Sequence, residues 1–276
     1  MKSPLTFVLL AAFGAASLSA QAHSVTRKWE TPAVLKVPES VLFDAQRQVL
    51  YVTNIDGEPW ARDGRGSVGK VGLDGKVIAA EWVTGLQAPK GMALRGNRLH
   101  VADLDEIVVI DVEKGAITER IPVEGANGLN DVTIDARGVV LVSDSRDKRV
   151  YAIEDGEARV LLKDLAGPNG VLSHEGVLYL ANGQGLYRVG ADAKLTLLAD
   201  GMDGGIDGVE PVGNGDFLVS CWQGALHYVR SDGTRETLLD TRAQKVQSAD
   251  IGYDPHTRTI YVPTFFTNTV VAYELK

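Results

Sequence analysis

Four oxygen-bearing side chains, Glu39, Asn130, Asn169 and Asp207, stand second in four short segments of one pattern, PES, LND, PNG and IDG. Two are carboxylates, two are neutral amides, and no His or Cys is among them. Such a set suits a hard cation, Ca²⁺ first and Mg²⁺ or Mn²⁺ after it, and lacks the ligands zinc prefers. Asn and Asp also begin strands because they stabilise turns, and for any one of the four that role is sufficient. Four oxygen donors at one register in separate segments favour a site. Lys90, in PKG, shares the register and admits two readings. It is either a structural counter-ion to Glu39 and Asp207, making a metal unnecessary, or a cation that holds an anionic substrate.

These residues belong to a repeat. Six segments read alike: PESVLFDAQRQVLYVTN, PKGMALRGNRLHVAD, LNDVTIDARGVVLVSD, PNGVLSHEGVLYLAN, IDGVEPVGNGDFLVSC and SADIGYDPHTRTIYVPT. Each has a polar pair, a short apolar strand, a turn and a second apolar strand. Their second residues, Glu39, Lys90, Asn130, Asn169, Asp207 and Ala249, are 51, 40, 39, 38 and 42 residues apart. A four-stranded propeller blade occupies about that length. Two more strands fit between the shared segments, as at Arg149–Ile153 and Ala158–Leu162 around Glu154-Asp155-Gly156. No window carries a sustained helical apolar stripe. The expectation is an all-β, six-bladed β-propeller of four-stranded antiparallel blades, forming a single domain over residues 23–276. The last repeat ends after three strands, the third at Val270–Leu275, while a spare strand lies around Lys28–Thr31. That strand is expected to complete the last blade and close the ring without a free edge.

In such a meander the start of the first strand and the end of the second lie at the same end of the blade. The six second residues should therefore meet around one mouth, each beside Ser40, Gly91, Asp131, Gly170, Gly208 or Asp250. Asn54, Asp103, Asp144, Asn182, Cys221-Trp222 and Thr264 should form an outer ring. From these, Asn54, Asp103, Asp131, Asp144, Asn182 and Trp222 are expected to contact substrate. Phe265-Phe266 and Trp222 are candidate walls; packing suits Phe265 and the wall suits Trp222.

At these motifs the sequence resembles the gluconolactonase and senescence-marker-protein (regucalcin-like) family of six-bladed propellers, along the whole of residues 23–276. The resemblance implies a divalent metal held by Glu39 of PES, Asn130 of LND, Asn169 of PNG and Asp207 of IDG. It implies that Asp207 doubles as general base while the metal polarises a lactone carbonyl. Sugar-lactone hydrolases of the family often carry an Arg where Gly128 stands, and Lys90 lies outside their pattern. The expected function is metal-dependent hydrolysis of a lactone or related ester, with Asp207 activating water and Lys90 aiding it. The alternative is a non-catalytic propeller that binds a small ligand or protein through the same face.

Other signals bound the reading. GRGSVGK, Gly64–Lys70, resembles a phosphate-binding loop, but Val71 follows where Ser or Thr should hold magnesium. Asp74-Gly75 reads as a hairpin turn that places Lys70 on a strand. The match is read as chance in a chain with 30 glycines, and no nucleotide is expected. The first residues combine Lys2, an apolar run too short to span a bilayer and Ala20-Gln21-Ala22, a signal peptide expected to be cleaved after Ala22. The protein should be periplasmic or secreted, without a membrane anchor. Its net charge of −8, with no Lys/Arg cluster, speaks against nucleic acid. Cys221, the only cysteine, rules out an intramolecular disulfide. No G-x-S-x-G occurs and no His falls in the ring, so a Ser/His nucleophile has no support. His100, His174, His227 and His256 are expected at the surface. His23, at the expected new amino terminus, has a copper-chelating arrangement that nothing else supports.

Overall fold

Short apolar runs punctuated by turn residues form 24 strands in six four-stranded antiparallel sheets, in a computed structural model that describes residues 22–276. The expected signal segment, 1–22, lies outside the described residues but for Ala22. Five sheets run in simple sequence order, and blade 1 is typical: Pro38–Asp44, Val49–Asn54, Gly66–Gly72 and Val77–Leu86. The inner strands of blades 2–6 are Pro89–Arg95, Leu129–Ile134, Pro168–His174, Ile206–Gly213 and Gly252–Asp254. Each touches the next and the sixth touches the first, so the ring closes as a six-bladed β-propeller.

Closure depends on the amino-terminal strand, Val25–Glu30, which pairs antiparallel with Val270–Leu275 in blade 6. Thr31 N donates to Val270 O at 3.0 Å and Lys276 N to Ser24 O at 2.9 Å, extending the seam beyond the strands. His23 stacks on Tyr228 at 3.7 Å and bonds Glu236, fastening the segment to blade 5.

The core lies between blades. Tyr51, Val68, Leu99 and Val108 join blades 1 and 2, and Ile107, Val109, Leu129 and Tyr151 join blades 2 and 3. Stacking covers both faces of the strands, which reverses one sequence expectation. His100 and His227, expected at the surface, are buried, and the cause is that a strand packed on both faces has no solvent side for its polar residue. Burial holds the His227 imidazole down, to about 4. His256 is exposed and His174 half-buried.

The segment Gly64–Lys70 opens no helix. Gly66–Gly72 is a strand, and Lys70 Nζ lies 5.1 Å from the Trp82 ring and 5.8 Å from Tyr51. The long first repeat is explained by the loop of residues 55–65, which carries Pro59 and Trp60 to the mouth.

Candidate functional site

The ring residues are aimed by a repeated backbone irregularity. In blades 1–5 the pairing of the inner strand slips across two residues: Glu39-Ser40, Lys90-Gly91, Asn130-Asp131, Asn169-Gly170 and Asp207-Gly208. A bulge of this kind turns a side chain out of the sheet, here toward the axis. Hydroxyls one strand out satisfy the bulged amides: Ser40 N donates to Thr53 Oγ1, Asp131 N to Ser143 Oγ and Gly208 N to Ser220 Oγ, all within 3.0 Å. Glycine fills the second bulge position where neighbours crowd it. A Cβ on Gly170 would lie 2.1 Å from Asp207 O, and one on Gly208 2.4 Å from Asp250 Oδ1.

Five of the six ring residues, Glu39, Lys90, Asn130, Asn169 and Asp207, meet in one cavity of about 350 Å³. Pro59, Trp60, Gly204, Gly205, Trp222, Gln223 and Phe265 complete its lining. The sixth, Ala249, is fully buried in an apolar cluster with Ile55, Ala88, Leu104 and Phe265, against which Trp60 and Trp222 pack. Phe265 is thus both packed and part of the wall. Its ring meets Trp222 edge-on at 5.5 Å.

The donors are free to act. Asn130 gives its Nδ2 to Ser145 Oγ at 3.0 Å. Glu39 Oε2 and Asn169 Oδ1 are buried with no hydrogen-bond partner at all. Two orphaned acceptors lining one cavity are costly unless a cation or donor arrives. The chemistry of the set, two carboxylates and two amide oxygens, fits a hard divalent cation. Among the described residues no three His, Cys, Asp or Glu side chains converge to hold a metal alone, so the amides must complete any such shell.

Lys90 is 2% exposed and makes no salt bridge within 4.0 Å to Glu39 or Asp207, so it is not their contact counter-ion. Its Nζ lies 4.3 Å from the Trp60 ring instead, a cation–π contact. Burial pulls the Lys90 pKa down, while the charges of Glu39, Asp207 and Asp103 oppose that. Burial likewise pushes Glu39 up to about 8, with Lys90 opposing. Asp207 is held well above the usual carboxylate range by burial, then by the charges of Glu39 and Asp250. Beneath the ring, Asp131, Asp250 and Glu210 are all raised by burial, Asp250 to about 7.

The outer ring does other work. Asn54 Oδ1 accepts Lys36 N, Asp103 accepts Gln87 N and Ala88 N, Asp144 Oδ2 accepts Asn127 N, and Asn182 Oδ1 accepts Gly167 N. Each ties down the segment leading into the inner strand of its own blade. Asp131 accepts Val132 N and Val171 N, both at 2.7 Å, joining blades 3 and 4. These five, expected to contact substrate, line no part of the mouth cavity, because their oxygens are committed to backbone amides. Of that expected set only Trp222 reaches it.

Sequence reasoning missed Trp60, Pro59 and Gln223. Trp60 lies in the one loop that breaks the repeat length, which was the available signal. Gly128 carries Arg146 across it: a Cβ there would come within 2.5 Å of Arg146 Cγ, and the guanidinium stands 5.9 Å from the Trp60 ring.

No protein-family model matches this chain, and no curated protein is detectably similar to it in sequence. Solved structures do resemble it. A provisionally assigned gluconolactonase superposes with a TM-score of 0.71 at 17% identity, covering 93% of each chain. A streptogramin B lyase gives 0.68 at 11% identity over 92% of this chain and 98% of its own. A luciferin-regenerating enzyme gives 0.65 at 16% identity over 92% and 95%. At these identities the likeness establishes the fold, one that carries enzymes.

Proposed function

We propose that this protein is an exported hydrolase of the regucalcin-like kind, opening a lactone or related ester at the propeller mouth with a divalent cation, Ca²⁺ foremost. The observation that carries this is the pair of buried, partnerless acceptors, Glu39 Oε2 and Asn169 Oδ1, at the floor of an open cavity beside Asp207 and Lys90. Glu39, Asn130, Asn169 and Asp207 would hold the cation. When bound, it supplies positive charge at the carbonyl oxygen, as Lewis-acid sites do.

The chain's own groups supply the proton traffic. Asp207, aimed into the cavity by the bulge at Asp207-Gly208, takes a proton from water as the water oxygen attacks the carbonyl carbon. The same carboxyl returns that proton to the ring oxygen as the acyl C–O bond breaks. Burial strengthens it as a base by raising its pKa. Lys90, fixed by Trp60, faces the oxygen on which negative charge develops. The aromatic walls keep bulk water from the centre.

Calorimetry with Ca²⁺ on chelator-treated protein, followed by a lactone panel, tests the reading. Ca²⁺ should raise the melting temperature with concentration and support turnover, by mass action on the native state. Glu39→Ala and Asp207→Ala should abolish both effects. Stoichiometric Ca²⁺ binding retained in both variants removes this site. Lactone binding without turnover leaves a binding propeller in its place.

A further inference from the structure

The mouth is chemically divided. Glu39, Lys90, Asn130, Asn169 and Asp207 bring polar groups from blades 1–5, but the sixth ring position is Ala249, 0% exposed. From there an apolar surface continues through Phe265 and Trp222 and reaches Trp60 on the loop of blade 1. Phe266, 56% exposed, extends it outward, 4.7 Å from Phe265 and 6.4 Å from Trp222. An exposed aromatic beside a cavity wall of two tryptophans and a phenylalanine is a surface that water covers poorly.

We infer that the substrate of this site carries an apolar, preferably aromatic, substituent on its lactone or ester, and that Trp60 and Trp222 select it; this rests on the hydrolase reading above. A polyhydroxylated lactone fits badly. Each of its hydroxyls would leave water for a wall in which Gln223 is the one neutral polar side chain beyond the ring residues, with Arg146 further out beside Trp60. The amides of the ring have little to spare, since Asn130 already donates to Ser145 and the oxygens of Asn130 and Asn169 would be given to the cation. A phenyl or alkyl group gains by the same burial, and pockets of this kind are built from an apolar wall and a few convergent polar groups.

The test compares γ-phenyl-γ-butyrolactone with D-glucono-δ-lactone, at saturating Ca²⁺, on the full mature chain. The phenyl lactone should show kcat/KM at least about tenfold higher, the range one well-placed apolar group commands. Trp222→Ala should lower kcat/KM for the phenyl lactone about ten- to a hundredfold, mainly through KM, and clearly more than for the sugar lactone. Trp60→Ala, which also frees Lys90, should lower kcat on both substrates and add a KM loss on the phenyl lactone alone. Thermal melting confirms that each variant is folded, and Trp222→Phe should restore most of the loss. Preference for the sugar lactone, or equal losses on both substrates, overturns the inference and leaves the hydrolase reading standing. Saturable calorimetric binding of the phenyl lactone without turnover, weakened in Trp60→Ala, supports the apolar specificity and sinks the hydrolase reading. Absence of both turnover and binding sinks both.

Discussion

Two rings of Asn and Asp face the same end of this propeller, and they are opposites. The outer four, Asn54, Asp103, Asp144 and Asn182, have spent their oxygens on backbone amides of the segments that lead into the inner strands. The inner ring, two carboxylates and two amides with Lys90 between them in sequence, leaves Glu39 Oε2 and Asn169 Oδ1 with nothing. Residue type does not separate the rings, and neither does burial. What separates them is whether a backbone N–H lies within reach. Saturated oxygens build, and unsaturated ones wait for a partner.

The largest expected contrast is in activity. Asp207→Asn removes the base and should lower lactone turnover by at least about a hundredfold. Without cation it should leave the melting temperature equal or higher, because a buried, poorly solvated carboxyl is gone. Steady-state kinetics and calorimetry on one preparation read both; a marked drop in stability would place Asp207 with the outer ring.

Asp144→Ala should behave in reverse. It orphans Asn127 N, Arg146 N and Asp147 N, which Asp144 now accepts at 2.8, 3.1 and 2.8 Å. The cost should be about 3 kcal/mol, or roughly 5–10 °C in melting temperature for a domain of this size. Ca²⁺ affinity, measured below the melting range, should hardly move. Unchanged stability would erase the distinction between the rings.

The smallest effect is on pH dependence. Glu39 and Asp250 have folded pKa values of about 8 and about 7, above their ordinary 4.5 and 3.8. The folded state therefore keeps protons that the unfolded chain has released, and stability is lost as pH rises through those values. His227 acts oppositely, but only as pH falls from 6.5 toward about 4. Between pH 6.5 and 8 the cation-free protein should lose roughly 1 kcal/mol per pH unit through Glu39, with Asp250 adding to the loss only up to about pH 7. Glu39→Gln should flatten that slope, and saturating Ca²⁺, which holds Glu39 in its ionised form, should remove Glu39's share of it. A flat profile in the parent would mean these carboxyls are solvated.

The blade count, the closing strand and the inner register were legible because each is a periodic property of the chain. The repeat predicts where Glu39 and Asp207 fall and that Val270–Leu275 needs a partner. The function of a given oxygen was not legible. PES and YVTN both offer polar side chains at the mouth end, and only the bulge at Glu39-Ser40, set by three-dimensional pairing, points one inward. His100 and His227 misled because alternation marks a solvent face only in a sheet that has one. Trp60 escaped because periodic reasoning is blind in the loop that departs from the period.

The seam between Val25–Glu30 and Val270–Leu275 also has a consequence in time. Glu30 and Thr269, bonded at 2.9 Å, are 239 residues apart, so of the described strands the first to leave a ribosome meets its mate last. Drawing in a loop that long costs on the order of 5 kcal/mol of chain entropy, repaid only when the final blade forms. The strands of blades 1–5 are each drawn from one stretch of sequence, but the circle stays open, like an unfastened collar, until Val270–Leu275 has been made. A chain pulled from either end gives way first at this clasp.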